Sequence, residues 1–293
     1  VGELYAVASR DADSAMTISH KGLIYTDYDQ MFADPAVEGV YISLPNAFHL
    51  PVAIKAMKAG KHVLCEKPLG MNAAEVREAI DVSEKMGVLF VEASWNRWHP
   101  RTQRVHEIVR SGKLGAIKRI RTAFTYSGLD DANIRLDPTI GGGILYDLGP
   151  YSTVAPLWLL DFPKVENLSV QTVFHEGGVD ETTRVNYRLG NTVCETVASC
   201  NIPDSSWFIV EGEKGSVRMG GMNAFNSHNA PSDLEIEIDG VTSIEDFRGC
   251  DPYQLMADAF ARRARGGSDW VMQLSESLRF AELFDAAFAL MKK

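Results

Sequence analysis

The sequence lacks the features that mark membrane and nucleic-acid-binding proteins. No apolar run approaches the roughly 20 residues of a membrane-spanning helix, and no signal-peptide pattern opens the chain. The 29 Lys and Arg residues are outnumbered by 39 Asp and Glu, for a formal net charge of −10, whereas a nucleic-acid surface needs a basic face. We therefore expect no membrane and no nucleic acid among the partners.

Cysteine is also scarce, and its spacing indicates no metal site. The chain has no C-x-x-C pair and no cluster of His, Cys and carboxylates at metal-ligand spacing; its cysteines are Cys65, Cys194, Cys200 and Cys250. Thiols used as small buried side chains suit a reducing compartment. The sequence thus predicts a cytoplasmic protein without a bound metal.

The first third of the chain alternates apolar runs with amphipathic segments. Strand-like runs fall at residues 4–9, 40–44, 62–66 and 88–93, and helical spacing at 11–18, 50–59 and 73–86, the last after the possible N-cap Asn72. Strands separated by helices of this length are typical of βαβ units and a parallel sheet. The predicted fold class is α/β, with a doubly wound, Rossmann-type domain over residues 1–94.

A two-residue period replaces this pattern after residue 94. Alternating segments fall at residues 117–126, 165–175, 182–189, 192–201, 206–211 and 234–238, and helices at 101–111, 252–265 and 274–291. We expect residues 95–293 to form an α/β domain with a large, mostly antiparallel, open sheet covered on one face.

A long apolar helix is predicted from the glycine triplet at residues 141–143 to about residue 160, with a kink or break where Pro150 interrupts it. The uncovered face of the open sheet would expose apolar surface, from side chains such as Val170, Val173 and Val185. Because homo-oligomers commonly bury such a face, we expect a homodimer or homotetramer.

The fingerprint G-x-G-x-x-G, which binds a dinucleotide pyrophosphate, does not follow the first predicted strand. The strand at residues 4–9 instead looks like the second strand of a doubly wound domain, whose end meets the adenine ribose. Without the glycine loop, the pyrophosphate loses the N-terminus of a helix. We expect either a fragment or processed form of a longer chain, or a truncated homologue that binds dinucleotides weakly or not at all.

Polar residues follow three predicted strands at the edge where open α/β sheets bind ligands. After the first strand come Ser9, Arg10 and Asp11. An arginine here suits the 2′-phosphate of NADP, Asp11 is compatible with NAD, and a solvated loop arginine is equally consistent with the sequence alone. Ser9 and Arg10 are therefore candidate cofactor contacts.

The next strand ends in L-P-N-A-F-H, which contains Leu44, Pro45, Asn46 and His49. Pro45 fixes the turn, and Asn46 can bond a ribose or cap the next helix. Asn96 lies where the two predicted domains join, a common place for a pocket. All five residues are candidate cofactor contacts.

Glu66 and Lys67 end the third strand. Most lysines are solvated, but three polar strand ends at one sheet edge favour a functional lysine. Asp147 and Tyr151 are four residues apart and would share one face of an apolar helix, where an unpaired acid costs stability. The structural alternative is an Asp147 bonded to backbone and a Tyr151 in the core.

Several longer motifs carry a family resemblance. They are A-S-R-D, P-N-x-x-H, A-G-K-H-V-L-C-E-K-P, E-A-x-x-x-R-x-H-P, G-G-G-x-L-x-D-L-G-x-Y and W-F-I-V-E-G-E-K-G-S-V. With them the chain resembles the glucose–fructose oxidoreductase / inositol dehydrogenase (Gfo/Idh/MocA) family, and most closely its dimeric dihydrodiol dehydrogenase branch. The resemblance implies NADP- or NAD-dependent oxidation or reduction of sugars, cyclitols or related diols, with NADP slightly favoured by Arg10.

By motif position, the resemblance implies that Lys67, Asp147 and Tyr151 are catalytic. Tyr151 would give or take the substrate proton, with its pKa lowered by the Lys67 ammonium. Lys67 would stabilise developing alkoxide charge, and Asp147 would orient Lys67 or a substrate hydroxyl. The positions implied to touch the cofactor are Asn46, Glu66 and Arg135.

Two other functions stay open at this point. A noncatalytic sugar- or dinucleotide-binding regulatory homologue would keep the fold and lose the glycine loop, whereas retention of Lys67, Asp147 and Tyr151 favours an enzyme. A lyase or isomerase acting on sugars without a nicotinamide would need the same pocket. The substrate itself does not follow from the sequence.

Overall fold

A computed structural model describes residues 2–18, 22–219, 224–225 and 232–291. In the described part up to residue 92, strands alternate with helices. These elements are β1 (Ala6–Ala8), α1 (Ala12–Met16), β2 (Leu23–Tyr25), α2 (Tyr28–Ala33), β3 (Gly39–Ile42), α3 (His49–Lys58), β4 (His62–Cys65), α4 (Ala73–Met86) and β5 (Phe90–Glu92).

The parallel strands form two sheets that are not paired with each other in the described residues. β1 pairs with β2, while β3, β4 and β5 form a second sheet with β4 at its centre. The ends of β3 and β4 therefore lie side by side, and the segments at 44–46 and 66–67 leave the sheet at one edge. Sequence reasoning misses β2, because three apolar residues are too few to show a period.

Local signals set the limits of α4, which the sequence predicts at the same residues. The Asn72 side chain accepts a hydrogen bond from the backbone N of Glu75 at 2.9 Å, and the Glu75 carboxylate accepts from the Asn72 amide at 2.8 Å. The C-cap of the helix is Gly87, whose φ of 65° suits glycine. The predicted cap at Asn72 is confirmed.

The second part is dominated by long strands. Its elements are α5 (Pro100–Arg110), β6 (Ile117–Thr125), α6 (Ile144–Leu148), α7 (Ala155–Leu159), β7 (Val165–Phe174), β8 (Asp180–Leu189), β9 (Thr192–Ser199), β10 (Ser205–Gly212), β11 (Gly215–Met219), β12 (Asp233–Ile238), β13 (Val241–Asp246), α8 (Pro252–Ala264) and α9 (Leu274–Phe288). Short 3₁₀ helices occupy Asn46–Phe48, Trp95–Trp98, Ile134–Leu136 and Pro138–Ile140.

Eight of these strands form one sheet in the order β13-β12-β11-β10-β6-β9-β8-β7. All neighbours are antiparallel except β6 and β9, which are parallel. The segment around α6 and α7 covers one face, where Thr122 and Tyr187 donate to the backbone oxygens of Ser152 and Thr153 at 2.8 and 2.7 Å. The predicted α/β class, with parallel strands first and a mostly antiparallel sheet second, is confirmed.

One detail of the sequence prediction is confirmed and two differ. The apolar helix is two short helices, α6 and α7, with the break at the predicted position around Pro150. Val185 is fully buried and pairs with Val170, so both lie on the covered face; Val173, 50% exposed, lies on the other. Strands β11 and β13 also escape prediction.

The change from parallel to antiparallel strands falls between β5 and β6, and a domain boundary at residue 94 stays a prediction. Among the described residues, none of the helices combines the length and apolarity required to span a bilayer. Within the same residues, no three His, Cys, Asp or Glu side chains gather in an arrangement suited to a metal ion.

Candidate active site

Two cavities meet at the carboxyl ends of β3 and β4. The first, of about 150 Å³, lies between these strand ends and the loop at residues 134–143. The second, of about 410 Å³, opens toward β6 and α8. Four charged residues line both cavities: Glu66, Lys67, Arg135 and Asp147. A group bound in one cavity would meet a group bound in the other at these side chains.

Lys67 and Asp147 form a buried ion pair at this junction. Lys67 Nζ donates to the backbone oxygen of Asp147 at 2.8 Å and to its Oδ1 at 3.1 Å. The two side chains are only 11% and 13% exposed. Two acceptors on one residue therefore fix the position of the ammonium group, in a site where little water screens its charge.

The second carboxylate oxygen of Asp147 has two further donors. Arg135 Nε lies 2.7 Å from Oδ2, and the Tyr126 hydroxyl donates to the same atom at 3.1 Å. Burial alone would raise the pKa of Asp147, but the charges of Lys67 and Arg135 outweigh it and lower that pKa to about 2. Asp147 is thus a carboxylate that orients two cations.

Tyr151 presents its ring face to Lys67, and its hydroxyl points elsewhere. Lys67 Nζ lies 5.0 Å from the ring centroid, while the hydroxyl oxygen accepts a hydrogen bond from Trp95 Nε1 at 2.7 Å. Burial raises the pKa of Tyr151 well above its usual value, and Glu66 adds to the rise. The expected lowering of this pKa by Lys67 is wrong, because desolvation of a buried phenolate dominates.

A glycine and a buried carboxylate place α6, the helix that carries Asp147. Gly143 has φ 121°, and a Cβ there would come within 2.5 Å of Asp180 Oδ1. Asp180 Oδ2 accepts from the backbone N of Leu145 at 2.9 Å and so holds the first turn. Although α6 ends before Tyr151, Asp147 and Tyr151 both line the second cavity.

The first cavity gathers most of the predicted cofactor residues: Leu44, Pro45, Asn46, His49, Glu66, Lys67 and Arg135. Asn46 Nδ2 donates to the backbone oxygen of Gly141 at 2.8 Å, and Glu66 accepts from the Tyr41 hydroxyl. Polar groups from two adjacent parallel strands converge here, at the sheet edge where open α/β sheets bind ligands.

His49 ties together the two loops that line the first cavity. Its Nε2 lies 2.7 Å from the backbone oxygen of Leu44, and its Nδ1 lies 2.8 Å from that of Pro68. A neutral imidazole can donate to only one of these oxygens, and burial lowers the pKa of His49. Its contribution to the cavity is to hold backbone in place.

Three predicted cofactor residues line neither cavity. Ser9 and Arg10 follow β1, where Ser9 Oγ accepts from the backbone N of Asp11 at 3.2 Å and Arg10 is exposed. Asn96 is buried, and its Oδ1 has no hydrogen-bond partner among the described residues. Cofactor contact by these three residues stays a prediction.

Apart from Tyr151, sequence reasoning misses the aromatic wall of the second cavity, which also includes Trp95, Phe124, Tyr126, Phe225 and Tyr253. Trp95 stacks on Tyr253 with ring centroids 5.1 Å apart. Tyr126 directly follows β6, so the strand-end argument that selects Glu66 could have found it. Tyr253 lies in the first turn of α8, where no local pattern marks it.

Two family models match the chain. Residues 2–94 match the oxidoreductase family with an NAD-binding Rossmann fold. Residues 102–218 match the GFO/IDH/MocA C-terminal domain. The two matches together span more than half of the sequence.

Individual relatives align over much of the same length. D-xylose 1-dehydrogenase (NADP(+)) 2 of Haloferax volcanii is 33% identical over 297 residues, covering 98% of this chain and 89% of that protein. Trans-1,2-dihydrobenzene-1,2-diol dehydrogenase of Mus musculus is 34% identical over 227 residues, covering 74% of this chain and 66% of that protein.

Among solved structures, a 3-ketoreductase from Actinomadura kijaniata in complex with NADP and TDP-benzene superposes with a TM-score of 0.89. The alignment covers 98% of this chain and 89% of that one, at 23% identity. At this identity the likeness establishes a shared fold.

Proposed function

The chain belongs to the Gfo/Idh/MocA family and is an NAD(P)-dependent oxidoreductase, and from that premise we propose that it interconverts an alcohol and a carbonyl group on a small sugar-like ring. One observation carries this proposal: Lys67, Asp147 and Tyr151 meet where the two cavities join. A cofactor in the first cavity and a substrate in the second would face each other at these residues.

The residues of this chain would have the following roles in the reaction. When bound, a nicotinamide supplies the hydride donor or acceptor, held by the segment at 44–46 and by Glu66. Lys67 places a positive charge beside the reacting oxygen and stabilises its alkoxide form. Tyr151 gives its hydroxyl proton to that oxygen in reduction and takes one back in oxidation. Asp147 holds Lys67 and Arg135 in place and stays ionised, because its pKa is about 2.

The proposed substrate class follows from the second cavity and from the relatives. A volume of about 410 Å³ suits a single ring, with charged groups at one end and aromatic side chains around the rest. The names of two relatives give D-xylose and trans-1,2-dihydrobenzene-1,2-diol as substrates. A small cyclic sugar or diol, with neighbouring oxygens to meet Lys67 and Arg135, satisfies both observations.

Two features of related proteins support the assigned cofactor and residues. One relative is named for NADP(+), and the Actinomadura reductase is solved with NADP; with Arg10 at the end of β1, they favour NADP over NAD. Solved variants of that reductase replace one lysine and one tyrosine, at the same separation in sequence as Lys67 and Tyr151.

The assembly we propose is a cytoplasmic homodimer or homotetramer. Val173 lies on the open face of the eight-stranded sheet, and strand register places Val197 and Trp207 on that same face. A second copy covering this face would bury those apolar side chains.

The test is oxidation of D-xylose and of trans-1,2-dihydrobenzene-1,2-diol with NADP⁺ and NAD⁺. Tyr151→Phe should lower kcat by roughly 10²–10⁴-fold, the range for a lost acid–base group, with dinucleotide affinity in a calorimeter unchanged. Lys67→Met should lower both kcat and dinucleotide affinity, because Lys67 lines both cavities.

The matched control is Tyr146→Phe, which makes the same change five residues earlier, in α6. The Tyr146 hydroxyl donates to the backbone oxygen of Met71 at 2.7 Å, and Tyr146 lines neither cavity. This variant should therefore leave kcat unchanged. A protein that binds neither dinucleotide would contradict the proposal. A fully active Tyr151→Phe enzyme would remove only the proton-donor assignment.

A further inference from the structure

The hydroxyl of Tyr151 is held by a partner that can only donate. Trp95 Nε1 lies 2.7 Å from the Tyr151 oxygen, and both side chains are almost fully buried, at 4% and 6% exposure. An indole N–H has no lone pair with which to accept a hydrogen bond. The Tyr151 oxygen must therefore be the acceptor, and its own hydrogen is not used in this bond.

Tyr126, the other tyrosine beside Asp147, has the opposite arrangement. Its hydroxyl lies 3.1 Å from Asp147 Oδ2, and a carboxylate can only accept. The Tyr126 hydrogen is therefore committed to Asp147. Of these two cavity-lining tyrosines, Tyr151 is the one whose hydrogen is left to point at a substrate.

We propose that Trp95 is the positioning residue for proton transfer: its indole N–H turns the Tyr151 hydroxyl hydrogen toward the second cavity and stabilises the phenolate that remains. In the reductive direction the Tyr151 O–H bond breaks, an O–H bond forms on the substrate oxygen, and the electron pair stays on the tyrosine oxygen. The Trp95 hydrogen is not transferred. The inference rests on the proposed function, since it requires Tyr151 to be the proton donor.

The surroundings of Trp95 hold its ring in one orientation. Tyr253 stacks on it at 5.1 Å with an interplanar angle of 25°, and the ring of Tyr151 packs against it at 5.6 Å. A hydrogen bond to a charged oxygen is stronger than one to a neutral oxygen, so Trp95 favours the ionised form of Tyr151. The charged and titratable groups that also face Tyr151 are Lys67, Glu66, Asp147 and Tyr253.

The decisive variant is Trp95→Phe, which keeps an aromatic ring and removes the N–H. With whichever of D-xylose or trans-1,2-dihydrobenzene-1,2-diol the enzyme oxidises, kcat should fall about 10- to 100-fold, as for one hydrogen bond to a charged group, while KM changes less than about twofold. Loss of phenolate stabilisation should also move the rising limb of kcat against pH upward by about one to two units.

Trp98→Phe is the matched control. Trp98 lies in the same 3₁₀ helix and is equally buried, but its Nε1 has no hydrogen-bond partner among the described residues. Its replacement should leave kcat and the pH profile unchanged. A bond that is merely structural would give Trp95→Phe a lower stability with an unshifted pH profile, and that result would overturn the inference.

A second measurement needs no substrate. In ¹⁵N-labelled protein, the indole signal lost in Trp95→Phe identifies Trp95, and Tyr151→Phe should move that signal upfield because its acceptor is gone. A signal that stays in place refutes the bond itself. If instead Tyr151→Phe is as active as wild type, the proton-donor assignment and this inference fail together, while the rest of the proposed function stands. If neither probe is oxidised, the proposed function itself fails.

Discussion

The sheet of β1 and β2 and the eight-stranded sheet differ in strand length, strand pairing and burial. β1 and β2 have three residues each, and in the described part of the chain they pair only with one another. Leu23 and Ile24 of β2 remain 50% and 38% exposed. β8 and β9 have ten and eight residues, and each pairs on both edges. Apolar burial stabilises by about 25 cal/mol per Å², so the longer strands gain far more from it.

This difference explains where the site lies. Three contacts link the parallel-strand part to the second part. They are the ion pairs Lys67–Asp147 and Arg77–Glu282 and a hydrogen bond from the backbone N of Ala73 to the Asp285 carboxylate. Asp147 sits on a helix packed against the large sheet, whereas Lys67 sits on a loop. The well-packed region therefore sets the geometry, and the loop supplies a cation that this geometry positions.

The largest effect expected from the comparison is in amide hydrogen exchange. The amides of Ser9 and Leu23, bonded to the backbone oxygens of Tyr25 and Tyr5, should exchange at least about 10³-fold faster than those of β8 and β9, because opening short, half-exposed strands costs little. Exchange at neutral pH, followed by mass spectrometry or NMR, measures this ratio. Similar protection in both sheets would show that the two regions open as one unit.

The sequence predicts those parts of the fold and site that depend on neighbours along the chain. The cap at Asn72 and the break at Pro150 are local, and the strand-end argument brings Glu66 and Lys67 to one edge. Contacts between segments that are distant in the sequence cannot be predicted in this way. The face on which Val185 lies depends on its register with Val170, and the partner of the Tyr151 hydroxyl, Trp95, lies 56 residues away. Neither strand register nor a partner distant in the sequence leaves a periodic signal.

A smaller effect concerns a buried acid at the end of the parallel sheet. Glu92 ends β5, and its Oε2 has no hydrogen-bond partner among the described residues. Burial raises the pKa of Glu92 from 4.5 to about 7. Its neutral form is therefore favoured in the folded state, and stability that is complete below pH 4.5 should be lost as pH rises through 7, by roughly 3 kcal/mol.

Glu92→Gln should remove the loss of stability that occurs as pH rises through 7. Urea unfolding at pH 5 and pH 8 would measure it: the free energy of unfolding should fall between the two pH values in wild type and fall by less in the variant. Parallel changes in the two proteins would mean that Glu92 is ionised at little cost, with Arg97 as its compensating charge.

The smallest expected effect has the opposite sign and concerns Asp147, the buried acid held by the second region. Lys67 and Arg135 lower its pKa from 3.8 to about 2 against the effect of burial. Its ionised form should therefore stabilise the fold by about 2 kcal/mol, an effect complete above pH 4 and lost as pH falls through 2. Asp147→Asn should be less stable than wild type at pH 7, and the gap should close toward pH 2 in urea unfolding. Because Glu92 and Asp147 are both buried, burial alone would make the free energy of unfolding change with pH in the same direction for both. Suppose that Glu92→Gln and Asp147→Asn change the free energy of unfolding in the same pH window and direction. Pairing with Lys67 then does not set the pKa of Asp147, and the ion pair at the junction of the two cavities does not fix the position of Lys67.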